Sequence, residues 1–119
     1  MLNIKPKKIR DILHEIECFQ DKKDEYPKLT TEEDTPYILS DPWYQSILST
    51  INKLPPDQQA TLVALMYLGH GDFKKNEWGK AFDTAQEQLT KHIGQYLLSQ
   101  PHVVNSIEKG LNILGFVKH

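Results

Sequence analysis

Residues 60–71, Ala-Thr-Leu-Val-Ala-Leu-Met-Tyr-Leu-Gly-His-Gly, decide the fold. Between Ala60 and Leu68 only Thr61 is not apolar. A helix that is apolar on every side has no face to give to water, so this segment predicts a central helix packed among others. Its longest unbroken apolar run, Leu62 to Leu68, is seven residues, far short of the ~20 that span a bilayer. Pro56 opens the helix, since proline at a first helical position has no amide hydrogen to leave unsatisfied. Gly69 is expected to close it in the left-handed conformation that glycine adopts without steric cost. Asp72 then offers a side-chain cap for the next helix.

Reading outward, apolar residues recur at helical spacing on both sides. Upstream, Ile9, Ile12, Leu13, Ile16 and Phe19 form one stripe from about Pro6 to Asp21, and Tyr26-Pro27 ends that region. A further helix starts at Asp41-Pro42, shows Tyr44, Ile47, Leu48 and Ile51 on one face, and stops at Leu54-Pro55-Pro56. Downstream, Trp78, Ala81, Phe82, Ala85, Leu89, Ile93, Tyr96 and Leu97 predict one long amphipathic helix. Gly94 marks a bend or a close helix crossing within it. Pro101 starts the last helix, with Val103, Val104, Ile107, Leu111 and Leu114 on one face and Gly115 as terminator. No period-two alternation predicts a strand. The expected fold is all-α: a compact bundle of about five helices with an acidic loop over residues 28–40. At 119 residues, one domain over 1–119 is the natural organisation.

Charge sharpens this picture. The chain has 14 Lys and Arg against 16 Asp and Glu, a net charge of −2 and a pI near 6.2. That balance argues against a nucleic-acid binder. The distribution is uneven, with +1 over residues 1–28, −4 over 29–60 and +1 over 61–119. The acidic segment carries Glu32, Glu33 and Asp34 beside Tyr37, Trp43 and Tyr44. Aromatic residues are enriched at interface centres and charges at their rims, so these six residues form a candidate partner-binding patch. The competing reading has Trp43 and Tyr44 in the core. One cysteine allows no intrachain disulfide, and no charged start leads into an apolar leader. A cytoplasmic setting follows as the expectation, in a bacterium or in host cytosol.

Candidate chemistry is sparse. His14 and Cys18, four apart, fall on the face opposite the first apolar stripe and are expected to face solvent. Two ligands do not close a zinc site, and no second pair has comparable spacing. Cys18 also lies near a helix end whose dipole disfavours a thiolate. Lys5, Lys7, Lys8 and Arg10 make a basic start, diluted by Asp11, Glu15 and Glu17. The turn Gly69-His70-Gly71-Asp72 is read either as a tight connection or as a ligand contact, with amide hydrogens turned to an anion and Trp78 as a wall. No metal, cofactor or catalytic set is expected.

The run from Gln58 to Gly69, with Gly71-Asp72-Phe73, Trp78, Tyr96-Leu97-Leu98, Pro101 and Glu108 to Leu111, resembles a bacterial family of small helical proteins catalogued as a domain of unknown function. The likeness covers about Pro55–Gly115, leaving residues 1–54 as an N-terminal helix and loop extension. It departs at His70, where the family pattern favours arginine, and it implies no reaction. In size and organisation the whole chain also looks like the small Legionella inhibitors of ubiquitin-deamidating and transglutaminating effector enzymes. That likeness implies a bacterial effector enzyme as partner. The expectation is a non-catalytic interaction module, without nucleic-acid or membrane partners. A small-ligand or anion module using the Gly69–Asp72 turn is the alternative. An exposed Cys18 and a long fourth helix would also suit a homodimer.

Overall fold

The computed structural model describes residues 2–25, 42–100 and 102–116. Among them it has six α-helices and no strand: α1 (Pro6–Glu25), α2 (Pro42–Asn52), α3 (Pro56–His70), α4 (Trp78–Gln88), α5 (Ile93–Ser99) and α6 (Val103–Ile113). A single 3₁₀ turn, Lys75–Glu77, leads into α4. The expected acidic loop and the Asp41 cap lie outside the described residues. The helix starts follow from proline chemistry: Pro6, Pro42 and Pro56 each stand first in their helix. Helix α1 runs four residues past Asp21, because Lys22 to Glu25 contain no breaker.

Helix α3 is the axis. Gln59 to Met66, Leu68 and Gly69 are all buried, with α6 on one side and α4 on another. Its first turn folds back on Pro55, whose carbonyl accepts the amide hydrogens of Gln58 (2.9 Å) and Gln59 (3.0 Å). The buried Gln59 side chain donates to the carbonyls of Ile51 (3.0 Å) and Asn52 (3.2 Å). It thereby satisfies the end of α2 from the start of α3.

Gly69 does not cap this helix. It stays helical and buried, and Gly71 takes the left-handed conformation at φ 85°. The reason is packing against α6. A Cβ at Gly69 would stand 1.7 Å from the Ser106 carbonyl oxygen, and one at Gly110 would stand 2.2 Å from that of Leu65. The two glycines lie on opposite helices and face backbone in an antiparallel register, 69 against 106 and 65 against 110. Helices α3 and α6 therefore meet backbone to backbone, a separation that only glycine permits.

The long fourth helix is two helices. Helix α4 stops at Gln88, Leu89 is extended at ψ 135°, and the Thr90 hydroxyl accepts the His92 amide hydrogen at 3.1 Å. That local side-chain bond competes with the helix ladder. The apolar period continues through the break because Ala85, Ile93 and Leu97 all reach the same core. Gly94 marks a close crossing: its amide hydrogen goes to Asn52 Oδ1 at 2.9 Å, and a Cβ would meet that same atom at 3.0 Å. A residue of α2 thus caps α5. The break also removes the long amphipathic helix on which the homodimer expectation partly rested.

The helix crossing predicts opposite outcomes for two glycine substitutions. Gly69→Ala should cost about 3 kcal/mol or more in urea unfolding, because rigid backbone rather than a side chain must move. Gly79 sits in α4 with open space around it. Gly79→Ala should leave stability unchanged or raise it by up to about 1 kcal/mol. Equal effects at the two positions would contradict the crossing.

Candidate functional site

The turn after α3 is built by its own amides. Gly71 N–H donates to the Leu68 carbonyl and Asp72 N–H to the Tyr67 carbonyl, both at 3.1 Å. These are the two bonds of a Schellman motif, which pairs the last free carbonyls of a helix. The Gly71 and Asp72 amide hydrogens expected to face an anion are therefore committed inside the turn. His70 Nδ1 lies 3.8 Å from Asp72 Oδ2, and both side chains are exposed. Asp72 caps no helix; the chain enters the 3₁₀ turn with Lys74 N–H donating to Glu77 Oε1 at 2.9 Å and Glu77 N–H donating to the Lys74 carbonyl at 2.8 Å. Trp78 is part-buried against the core.

Around that turn the structure assembles aromatics without a distinct sequence signal. The Tyr67 ring lies 6.1 Å from that of Phe73, and its hydroxyl is close enough to Tyr96 for the two to interact. Tyr96 is 38% exposed. Tyr67 stands in an all-apolar run and Tyr96 in an amphipathic period, so both read as core positions. The available hint was chemical, since a tyrosine hydroxyl near a core needs a polar partner.

At the other candidate patch, Glu32, Glu33, Asp34 and Tyr37 lie outside the described residues. The two remaining members separate. Trp43 is 36% exposed, whereas Tyr44 is 8% exposed with its ring 5.4 Å from that of Phe19. Tyr44 thus belongs to the core joining α2 to α1, because successive residues of a helix point about 100° apart. Trp43 keeps its place on the surface.

His14 and Cys18 share the outer side of α1, with Sγ 3.6 Å from Nε2. His14 is exposed as expected, while Cys18 is half-covered. Among the described residues, no group of three or more His, Cys, Asp or Glu is placed to hold a metal ion. Next to this pair a shallow groove of about 220 Å³ runs between α1 and α6, with Leu13, His14 and Glu17 on one wall and Val104 and Asn105 on the other. Lys5, Lys7 and Lys8 are exposed. Arg10 is set apart from the rest of that basic start: its Nε donates to Glu108 at 3.0 and 3.2 Å, and its Nη2 donates to the Phe116 carbonyl.

Two tyrosines give the protein an alkaline limit. Burial lifts the Tyr67 hydroxyl above its ordinary value of 10.0, with Tyr96 and then Asp72 adding to the rise; burial alone lifts Tyr44. The unfolded chain loses these protons first, so their stabilisation is complete below the ordinary value of 10.0 and declines as pH climbs toward the raised values. Urea midpoints measured from pH 9 to pH 11 should fall less steeply in Tyr67→Phe than in the unaltered chain. Parallel slopes would show that Tyr67 ionises equally easily in both states.

No described helix is long and apolar enough to cross a membrane. No curated protein and no solved structure matches the chain significantly. The sequence model of one family, described as "Protein of unknown function (DUF3775)", matches residues 44–116. That stretch is longer on its N-terminal side than Pro55–Gly115, and it takes in α2 from Tyr44 onward together with everything through α6. The chain therefore belongs to the DUF3775 family, with the matched residues beginning within α2 and α1 lying outside them.

Proposed function

We propose that this chain is a non-catalytic protein–protein interaction module, an inhibitor that binds a ubiquitin-deamidating or transglutaminating effector enzyme and covers its substrate surface. The observation that carries the reading is Trp43. It is 36% exposed on the first turn of α2, a helix whose other face is fixed in the core by Ile47 and Ile51. A large, exposed aromatic on a rigid helix suits an interface anchor. It lies within the segment that holds the chain's charge deficit, −4 over residues 29–60. Glu32, Glu33 and Asp34 would steer encounter with a basic partner surface. The effector enzyme as partner comes from the likeness in size and organisation. The ligand-binding alternative is less favoured, since the Gly71 and Asp72 amides are already engaged.

Ubiquitin deamidation by such an effector, titrated with this protein, tests the reading. The unaltered chain should suppress turnover at near-equimolar concentration. Trp43→Ala should weaken suppression by about 30-fold, the size of an interface hot spot, with its thermal midpoint unchanged. Reversing Glu32, Glu33 and Asp34 to lysine should slow association at low salt. Full enzyme activity in the presence of excess protein would remove the effector as partner.

A further inference from the structure

Helix α1 lies outside the family-matched stretch, yet it covers that stretch's apolar face. Ile9, Ile12, Leu13, Ile16 and Phe19 are all buried, whereas Asp11, His14, Glu15 and Glu17 on its other side are exposed. Apolar residues at such three- and four-residue steps are how an amphipathic helix lies in a groove. The main supports of α1 are α2 and α6. Phe19 meets Tyr44 of α2 at 5.4 Å, and Leu13 shares a groove with Val104 of α6. One charged anchor fixes its register. Arg10 grips both Glu108 carboxylate oxygens and donates to the Phe116 carbonyl, and the ion pair is only about a quarter exposed, 23% for Arg10 and 25% for Glu108.

We propose that the face formed by α2 and α6 is a helix-binding groove of the family module, that α1 is its resident occupant in cis, and that a partner's amphipathic helix can take its place. The partner is defined by chemistry. It carries bulky apolar residues at the spacing of Ile9, Ile12, Leu13, Ile16 and Phe19, and an arginine at the place of Arg10. The arginine gives specificity, because a helix without it leaves Glu108 unpaired in a partly desolvated position. Residues 26–41 join α1 to α2, and sixteen residues reach at most about 55 Å, so the covalent link permits exchange. At its other end α1 is held through Asn3, whose side chain donates to the Asp57 carbonyl at 2.9 Å and accepts from the Thr61 hydroxyl at 2.6 Å. This groove extends the interaction-module reading. It does not involve Trp43 or an effector, so the two can fail separately.

The test uses the full chain and a fluorescein-labelled peptide of residues 2–25. The cis helix competes with the peptide, so weakening its docking should raise apparent affinity. Full-length Ile16→Asp should bind the peptide at least tenfold more tightly than the unaltered chain does. A peptide carrying Arg10→Glu should lose at least tenfold. A folded Ile16→Asp chain with no gain, or equal binding of the two peptides, overturns the proposal. Should Ile16→Asp unfold, native-state amide exchange on the unaltered chain decides instead. Amides of α1 opening as a unit ahead of α3 and α6 support the groove, and exchange of all three together overturns it.

Discussion

Every other element in this structure takes its place from the contact between α3 and α6, where Gly69 and Gly110 let two helix backbones touch. A methyl group at either glycine would overlap a carbonyl oxygen of the opposite helix. The contact repeats after four residues on each helix, one turn, which locks the antiparallel register as well as the separation. With the axes that close, the flanking Leu62, Leu65, Met66, Ile107 and Leu111 are almost fully buried. Each such side chain contributes roughly 1.5–3 kcal/mol relative to exposure. Helix α4 closes the other side of α3, and α2 with α5 completes the module through the Asn52 cap on Gly94.

The order of the helices was legible because proline and apolar spacing are local signals. Pro6, Pro42 and Pro56 each start a helix, and the faces of α1, α2 and α6 contain the residues their periods imply. Three features were not legible, two because a non-local contact decides them and one because a local break leaves the apolar period intact. Gly69 and Gly71 are both plausible caps by composition, and only the approach of Ser106 reserves Gly69 for packing. The break after Gln88 is hidden because both halves of the interrupted helix feed one core. Arg10 reads as one more charge in a basic start, and its pairing with Glu108 spans 98 residues of sequence.

The candidate sites divide in the same way. Trp43 and Tyr44 are adjacent and chemically alike, so composition placed them together, while helix geometry sends one to solvent and the other to the core. The glycine-rich turn promised donors to a ligand, and backbone accounting assigns the Gly71 and Asp72 amides to the end of α3. What remains is a rigid helical module with aromatic residues at its surface and an N-terminal helix laid across one face.

Nuclear Overhauser spectroscopy on isotope-labelled protein tests the helix crossing most directly. The position a Cβ would take on Gly69 is 2.9 Å from the Ser106 Cα, and on Gly110 it is 3.1 Å from the Leu65 Cα. The Hα protons that occupy those directions should give strong cross-peaks between Gly69 and Ser106 and between Gly110 and Leu65. Both pairs together define the register and the backbone approach. Absence of both, with α3 and α6 otherwise helical, would contradict the crossing and the module built on it.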